Sequence, residues 1–404
     1  MRRHLAFASS LLYLLAALGA ANAAGRPLPE AAFQPDRSVL AADSEAQWVT
    51  FELTPGNQIR FAMTIDGRTA TGILDTGVSN SVLSARWALA AGIRPRGVQT
   101  AEAVAGSVTF GWAEGRAITI GGMTRSGGRM AVVTLPDDAT GGSTPVDALI
   151  GRDLIARYAL DIDFANRRFR LLPSGRLPFV GDAAPLAISP RQQVYVTDLT
   201  IGGRRLKPVI VDTGDGATVT LSTEAWRSLG VALPASTTTI SYSVAGPVLT
   251  ELTELPAVSI GATRLRGAET RIEPQGGFSA RLGVSGRIGM GFLQRYRVLL
   301  DPLAGRMVLA ANPDADKPPI KSTSGLLFTM AGDRLRVIHV MRGGPAAGGA
   351  WRVGDQICAI DGVRIAADYP RTALANWPIG VPGRMVELGL CGGSSRSLTL
   401  ERFY

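Results

Sequence analysis

The most constraining feature of this sequence is a long internal repeat. The tripeptide Asp-Thr-Gly occurs at residues 75–77 and again at residues 212–214, each time at the end of an apolar run. Downstream, residues 149–158 recur as residues 287–296 at a constant offset of 138, whereas the two tripeptides are 137 residues apart. Landmarks that recur in one order at nearly one offset indicate a duplicated domain. Two unrelated strand ends that both finish in Asp-Thr-Gly would explain the tripeptides but not the shared register.

The aspartates of the two tripeptides, Asp75 and Asp212, are candidates for a pair of carboxyl groups that shares one proton. Like charges a few ångströms apart cannot both ionise at low cost. One carboxylate then acts as a base on a bridging water, while the protonated partner polarises a carbonyl group. In each loop the glycine allows backbone to approach the carboxylate, and the threonine hydroxyl can hydrogen-bond to the other loop. The supporting residues are Thr76, Gly77, Thr213 and Gly214.

Both repeats resemble the retropepsin-type aspartic peptidase fold, fused here as two lobes in one chain. Residues 75–83 resemble the active-site segment of that family, and Leu-Ile-Gly-Arg-Asp-Leu at residues 149–154 resembles its second motif. The similarity extends over residues 47–312. It is looser in the second lobe, where Met290 occupies the position of the family's arginine and Thr220 is an insertion. The resemblance implies a mainly β, bilobal acid-protease fold built from two duplicated, barrel-like lobes.

The same resemblance implies a pepsin-like endopeptidase with Asp75 and Asp212 as its catalytic dyad. Its substrate is a polypeptide held in extended form between the lobes by backbone hydrogen bonds. No cofactor and no metal ion are expected, and a monomer is expected because one chain supplies both lobes. Pairing of each lobe with itself in an oligomer is the alternative. The flap, a hairpin that closes over the substrate, is assigned to Ala-Gly turns between alternating strands: Ala105, Gly106, Ala245 and Gly246.

Two positions near the dyad depart from the family pattern. The residue after each tripeptide is small in the family, but here it is Val78 in the first lobe and Asp215 in the second. Asp215 either adds a third carboxylate to the proton network and moves the working pH upward, or pairs with an arginine. In addition, Ser79 stands where retroviral relatives have the acidic partner of Arg152.

The N-terminus is typical of a secretory signal. Basic residues are followed by an apolar stretch over residues 5–20 and by small residues, so cleavage is expected after Ala23. A transmembrane anchor is the alternative. We expect export to the periplasm or cell envelope of a Gram-negative bacterium, or secretion, with no integral membrane span after cleavage. The mature chain then keeps only one histidine, His339, which argues against a Ser-His-Asp triad or a histidine-rich zinc site.

The formal net charge of +9 does not indicate a nucleic-acid partner. Almost all of the basic residues are arginines, and they are scattered singly instead of forming a concentrated basic face. Attraction to an anionic envelope or to acidic substrates stays open. Arginine-rich, lysine-poor usage more often reflects genome composition than a partner.

Turns and proline clusters divide the chain into six segments. They are a signal peptide (1–23), an N-terminal tail or pro-segment (24–46), the first lobe (47–180), the second lobe (181–312), a linker (313–322) and a C-terminal domain (323–404).

The C-terminal domain resembles a small α+β PDZ domain. Residues 343–347, 352–357 and 360–362 are similar to the bacterial PDZ core, and Gly-Leu-Leu-Phe is similar to its carboxylate-binding loop. Such a domain binds a peptide by strand addition, and backbone amides take the terminal carboxylate. It would recruit a substrate or partner; a domain that merely covers the lobes is the alternative. The predicted loop residues are Gly325, Leu326, Leu327 and Phe328, with Leu327 where glycine is common.

Both cysteines of the chain, Cys358 and Cys391, fall in this domain on predicted strands. In an exported protein they are candidates for a disulfide, and PDZ-like topology would bring their strands together. Two free buried thiols that act as small apolar side chains are the alternative.

A second functional interpretation is a non-catalytic peptide-binding or scaffold protein of the cell envelope, in which the lobes keep the groove without turnover. Two intact Asp-Thr-Gly motifs argue against it, because a binding groove does not need two buried acids.

Overall fold

The structure is a computed structural model that describes residues 33–137, 145–232 and 234–404. The predicted signal peptide lies outside the described residues. The prediction of a mainly β fold is confirmed. We call residues 33–172 the first half, residues 182–311 the second half and residues 323–404 the C-terminal unit. None of the described helices has the length and apolar character of a membrane span.

The described residues of the first half, 33–137 and 145–172, form thirteen strands and three short helices. Its strands are β1 (Arg37–Leu40), β2 (Val49–Leu53), β3 (Ile59–Ile65), β4 (Arg68–Leu74), β5 (Val82–Ser84), β6 (Arg96–Ala103), β7 (Gly106–Glu114), β8 (Ile118–Ile120), β9 (Met123–Ser126), β10 (Arg129–Val133), β11 (Ala148–Ile150), β12 (Ala159–Asp163) and β13 (Arg168–Leu172). The helices are a 3-10 turn at Ser44–Ala46, α1 (Ala85–Ala90) and α2 (Arg152–Ile155).

In the second half, the part that the structure describes forms eleven strands and three helices. Its strands are β14 (Asp182–Pro185), β15 (Ala187–Ile188), β16 (Tyr195–Ile201), β17 (Arg204–Val211), β18 (Val219–Leu221), β19 (Ser236–Ser243), β20 (Gly246–Ile260), β21 (Thr263–Ile272), β22 (Gly286–Ile288), β23 (Tyr296–Asp301) and β24 (Arg306–Ala311). The helices are α3 (Thr223–Leu229), α4 (Phe278–Leu282) and α5 (Met290–Leu293).

The two halves have the same strand order. In the first half the order is β3-β4-β11-β5-β10-β7-β6, and in the second it is β16-β17-β22-β18-β21-β20-β19. In each half the strand that leads into Asp-Thr-Gly pairs in parallel with the strand before a short helix, β4 with β11 and β17 with β22. Alternating burial along strands such as β3 places one face on the core. The shared order agrees with the sequence repeat.

A sheet built from both halves joins them. Strand β12 pairs antiparallel with β23, so that Leu160 lies opposite Leu300, and β14-β24-β23-β12-β13-β2 forms one continuous order. The buried carboxylate of Asp161 on β12 forms ion pairs of 2.9 Å with Arg170 of the first half and Arg297 of the second. The halves are therefore connected by backbone pairing of their strands.

The described part of the predicted N-terminal tail belongs to the first half. Strand β1 pairs antiparallel with β9, and Asp36 forms ion pairs with Arg125 at 3.7 Å and Arg157 at 3.3 Å. Residues 33–46 are thus not a free linker. A role of this segment as a pro-segment stays a prediction.

The predicted linker, residues 313–322, lies against the second half. The guanidinium of Arg295 donates hydrogen bonds to the carbonyl oxygens of Ala315 and Lys317. Lys321 forms an ion pair of 2.5 Å with Glu254 on β20. These contacts fix the position from which the C-terminal unit starts.

The C-terminal unit is a small six-stranded antiparallel sheet with three 3-10 helices. Phe328 stacks on Trp377 in its core, with ring centroids 5.7 Å apart. A disulfide joins Cys358 to Cys391, whose Cα atoms are 5.0 Å apart, because β27 pairs with β29. The strands are β25 (Leu326–Met330), β26 (Leu335–Val340), β27 (Gln356–Ile360), β28 (Val363–Arg364), β29 (Met385–Leu390) and β30 (Ser395–Thr399), and the helices are Pro345–Gly348, Tyr369–Arg371 and Ala373–Ile379.

Candidate active site

The two aspartates of the repeat lie on matching loops where the halves meet. Asp75 follows β4 and Asp212 follows β17, and neither side chain has any exposed surface. The N–H of Asp75 donates to the carbonyl oxygen of Ile150, and that of Asp212 donates to Ile288, both at 2.9 Å. The parallel strands β11 and β22 therefore hold the two loops in equivalent positions.

The two threonines bind the loops to each other. The N–H of Thr76 donates to Oγ1 of Thr213 at 3.0 Å, and the N–H of Thr213 donates to Oγ1 of Thr76 at 2.9 Å. The hydroxyl of Thr76 then donates to the carbonyl oxygen of Val211, and that of Thr213 to Leu74, at 2.7 and 2.8 Å. All of these atoms are buried, so each half completes the hydrogen bonding of the other half's loop.

One oxygen of each carboxyl group is fixed by backbone N–H groups. Oδ1 of Asp75 accepts from Gly77 at 3.0 Å, and Oδ1 of Asp212 accepts from Gly214 at 2.9 Å and from Asp215 at 3.2 Å. The two carboxyl groups also lie close enough for the charge of one to act on the other. The loops therefore hold both acids in fixed orientations.

The environment of Asp75 raises its pKa well above the ordinary value of 3.8. Burial is the largest cause, because the charged form loses its hydration, and the neighbouring charge of Asp212 is the second. The charge of Asp215 acts in the same direction, while the hydrogen bond from Gly77 lowers the pKa. The pair therefore retains a proton at pH values where an isolated aspartate would be ionised.

Asp215 is paired with a buried arginine. Its Oδ2 lies 3.3 Å from Nε of Arg287 and accepts from the hydroxyl of Thr220 at 3.1 Å. Arg287 also forms an ion pair of 2.5 Å with Glu273. Of the two interpretations of Asp215, the structure shows the arginine pair, although the charge of Asp215 still raises the pKa of Asp75.

Arg287 and Glu273 were not among the predicted site residues. In the repeat, Arg287 is equivalent to Leu149, and Asp215 is equivalent to Val78. Two apolar residues of the first half are thus replaced in the second half by a pair of opposite charges. This paired replacement is the feature of the sequence that could have identified Arg287.

The first half has different contacts around the residues that follow its Asp-Thr-Gly tripeptide. The carboxylate of Asp153 accepts hydrogen bonds from the N–H and hydroxyl of Ser81 at 2.8 and 2.7 Å, and Arg125 lies 3.8 Å away. Burial raises the pKa of Asp153. Val78, which follows the tripeptide, is buried among apolar side chains.

Both predicted flap segments are tips of β-hairpins. Ala103 lies opposite Gly106 in the β6–β7 hairpin, and Ser243 lies opposite Gly246 in the β19–β20 hairpin. Both glycines have positive φ angles, 138° and 112°, which a glycine adopts at low cost. The tips touch, because the N–H of Ala105 donates to Oγ of Ser243 at 3.3 Å. The remaining flap residue, Ala245, packs on the apolar cluster that contains Val78.

The predicted PDZ loop is in the third sheet and does not form part of the dyad region. Gly325 has a φ of 69° and precedes β25, which contains the other three loop residues. The ring of Phe403 packs against Gly344, which in turn contacts Gly325. Lys321 donates a hydrogen bond of 2.9 Å to the carbonyl oxygen of Tyr404. The chain's own C-terminal residues therefore lie beside this loop.

In the part of the chain that the structure describes, no three histidine, cysteine or carboxylate side chains are grouped as metal ligands.

Residues 61–154 match a protein family described as aspartyl protease. The matched region contains Asp75 and the Leu-Ile-Gly-Arg-Asp-Leu motif at residues 149–154. The chain therefore contains an aspartic-peptidase-like region, and the match supports a peptidase function for it. No curated protein matches the chain.

Proposed function

We propose that this protein is an exported aspartic endopeptidase whose catalytic dyad is Asp75 and Asp212. The observation that carries the proposal is the pairing of two fully buried aspartates, one from each half, in loops that hydrogen-bond to each other. Burying two acids side by side is costly, and a purely structural core would not need them.

The raised pKa of Asp75 allows the dyad to hold one shared proton. The protonated carboxyl group of the pair donates its proton to the carbonyl oxygen of the scissile peptide, and the other, ionised, takes a proton from water. The water oxygen bonds to the carbonyl carbon and gives a tetrahedral diol. One hydroxyl of the diol then returns a proton to the dyad, the amide nitrogen takes up the proton that came from water, and the C–N bond breaks, which gives one new carboxyl group and one new amine.

The substrate would lie in extended form between the two halves and beneath the hairpin tips at Ala105 and Ala245. Those tips touch, so a polypeptide would part them on entry. An extended chain offers backbone groups to both hairpins, which would hold it across the dyad.

The disulfide between Cys358 and Cys391 supports export, because disulfides persist in oxidising compartments such as the periplasm. The C-terminal unit would act as a PDZ-like module that recruits a substrate or partner by its C-terminal peptide. Support for this role comes from the resemblance of its sequence and from the glycine turn that precedes β25.

The test is cleavage of a diverse peptide pool by the mature protein between acid and neutral pH. Asp75→Asn and Asp212→Asn should each lower kcat/KM by about 10² to 10⁴-fold, because either acid alone cannot supply both proton transfers. The exposed Asp316→Asn is the matched control and should retain full activity. Full activity in either dyad variant, or no cleavage by a folded wild-type protein, would contradict the proposal.

A further inference from the structure

The guanidinium group of Arg281 on α4 links the second half to the β6–β7 hairpin of the first half. Its Nε donates to Oε2 of Glu102 at 2.8 Å, and its Nη2 donates to the carbonyl oxygen of Ala103 at 3.0 Å. These two residues are the last two of β6 before the hairpin tip. We call this pair of hydrogen bonds the clasp. Both side chains of its ion pair are 35% exposed, so solvent and salt screen it only in part.

Helix α4 is held firmly in the second half and is a fixed support for the clasp. The N–H of Ser279 donates to Glu273 at 2.8 Å, and its hydroxyl accepts from Arg287 at 3.0 Å. At the other end of the helix, the carbonyl oxygen of Leu282 accepts from the side chain of Gln192 at 2.5 Å. These contacts fix both ends of the short helix.

The same contacts connect the clasp to the dyad. The N–H of Asp215 donates to Asp212 at 3.2 Å, and the carboxylate of Asp215 lies 3.3 Å from Arg287. Arg287 pairs with Glu273, which accepts the N–H of Ser279 on α4. A continuous path of hydrogen bonds and ion pairs therefore joins the loop of Asp212 to the helix that carries the clasp.

The hairpin tip next to the clasp forms part of a cavity beside the dyad. This cavity of about 310 Å³ is lined by residues 104–106 of the tip, by Asp215 and by Arg281. The tip also contacts the second hairpin, where the N–H of Ala105 donates to Oγ of Ser243 at 3.3 Å. The clasp is shorter and has a charged donor, and charge-assisted hydrogen bonds are the stronger ones. A ligand that parts the two tips can therefore leave the clasp in place.

The second hairpin has a different residue at the position of the clasp. Tyr242 lies opposite Pro247 there, as Glu102 lies opposite Ser107 in the first hairpin. A tyrosine has no carboxylate, so an ion pair like that of Glu102 is not available to it. The two hairpins are therefore held by different contacts.

We propose that Arg281 is a positioning residue of the peptidase, which holds the first hairpin at a fixed distance from the dyad so that the hairpin tip can bind the substrate backbone. The inference rests on the proposed peptidase function. A polypeptide between the halves would contact the tip in the bound state and in the transition state alike. Loss of the clasp would therefore weaken binding in both states, which raises KM and leaves kcat nearly unchanged. A general loss of folded protein would instead lower the apparent kcat and leave KM unchanged.

The experiment measures kcat and KM on one uncharged peptide substrate. Arg281→Met should raise KM about five- to tenfold, since it removes hydrogen bonds from a charged donor at a partly exposed site. Glu102→Gln should have a smaller effect of the same kind, because its amide oxygen can still accept from the guanidinium group. The double variant should have the KM of Arg281→Met alone, because both changes remove one contact. Arg227→Met, an exposed position on α3, is the matched control and should leave both constants unchanged.

Two further measurements separate the clasp from a merely structural role. The KM of the wild type should rise with salt concentration, because salt screens a partly exposed ion pair, and the KM of Arg281→Met should not. Amide hydrogen exchange needs no catalysis. Residues 99–108 should exchange about fivefold faster in Arg281→Met than in the wild type, while exchange in β16 should stay the same.

The outcomes distinguish this inference from the proposed function. An unchanged KM in Arg281→Met, or a lower kcat without a change in KM, would overturn the positioning role. Unchanged exchange in the first hairpin would overturn the clasp itself. Faster exchange in a folded protein that cleaves no peptide would contradict the peptidase function and leave the clasp in place.

Discussion

Gly77 of the first half packs against the carboxylate of Asp212 in the second half, so closely that a Cβ atom on Gly77 would lie 2.4 Å from Oδ2 of Asp212. Gly214 has the same relation to Asp75, with a distance of 2.4 Å to Oδ1. Neither glycine can therefore carry a side chain without displacing the aspartate carboxylate of the other half. The repeat preserves this glycine because the two loops face each other across a near-symmetric contact.

Replacement of either glycine by alanine should displace the opposite carboxylate. Gly77→Ala and Gly214→Ala are each expected to lower kcat/KM by about 100-fold, since a displacement near 1 Å has that effect on a reacting group. Gly348→Ala is the control, because a Cβ atom there would meet no atom within 4 Å. Activity close to wild type in both variants would show that the loops adjust without loss of geometry.

The raised pKa of Asp75 predicts how stability depends on pH. Because the folded-state pKa lies above the unfolded value, the stabilising contribution of this group is present at low pH and is lost as the pH rises through the folded-state pKa. Asp75→Asn cannot ionise, so its Tm should exceed that of the wild type at pH 7, by about 2–4 °C for each kcal/mol gained. The difference should shrink towards pH 3.

Thermal unfolding of Asp75→Asn, wild type and the exposed Asp316→Asn across that pH range checks this prediction. A Tm difference between Asp75→Asn and wild type that does not change with pH would mean that Asp75 titrates normally in the folded protein.

Asp215 should tune the pH profile through its charge. Its carboxylate raises the pKa of Asp75, and Asp215→Asn removes that charge while leaving the positive charge of Arg287 in place. Both effects favour ionisation of the dyad, so the loss of activity at high pH should begin at a lower pH. The asparagine oxygen can still accept the hydrogen bond from the N–H of Ala217, and its NH2 group, in place of Oδ2, can donate to the hydroxyl of Thr220.

The pH dependence of kcat/KM measures this shift. Adding Arg287→Met to Asp215→Asn removes the remaining positive charge and should move the profile back towards that of wild type. If the profile of Asp215→Asn coincides with that of wild type, the ion pair with Arg287 neutralises Asp215 completely.

The pair of aspartates and its supporting loops were predictable because the sequence repeat shows that residues 75–77 and 212–214 are equivalent. That equivalence does not depend on how the chain folds between them. The flap turns were predictable for a local reason, since Ala-Gly between alternating strands favours a tight hairpin. By contrast, the network of Asp215, Glu273 and Arg287 joins residues that are 72 and 14 positions apart. No local pattern places these side chains within reach of each other.

Two other elements depended on tertiary structure. Strand β1 contains only exposed or half-buried residues and shows no apolar period, so only its pairing with β9 makes it a strand. The pairing of β12 with β23 brings Leu160 opposite Leu300, and register between such distant strands is set by packing of the whole fold.

The C-terminal unit contacts the base of the second hairpin, β19–β20. Oγ1 of Thr238 lies 2.9 Å from Nε2 of His339, and the hydroxyl of Thr237 donates to the carbonyl oxygen of Arg342 at 2.8 Å. The guanidinium of Arg342 donates to Glu251 on β20 at 2.8 Å. The resemblance to a PDZ domain predicts recruitment alone, which would leave cleavage of short peptides unaffected by this unit. These contacts predict an additional effect on the hairpin whose tip contacts Ala105.

In the full-length chain, Thr238→Val together with Arg342→Ala should loosen this contact and change kcat/KM on short peptides by about two- to fivefold, which matches the modest strength of partly exposed polar pairs. Arg336→Ala, an exposed position on β26, is the matched control and should have no effect. A chain that ends at Ala311 should show at least the same change on short peptides and a larger loss on a protein substrate, because recruitment raises the local substrate concentration. Equal losses on peptides and proteins would assign the C-terminal unit to support of the hairpin and remove the reason for a recruiting role.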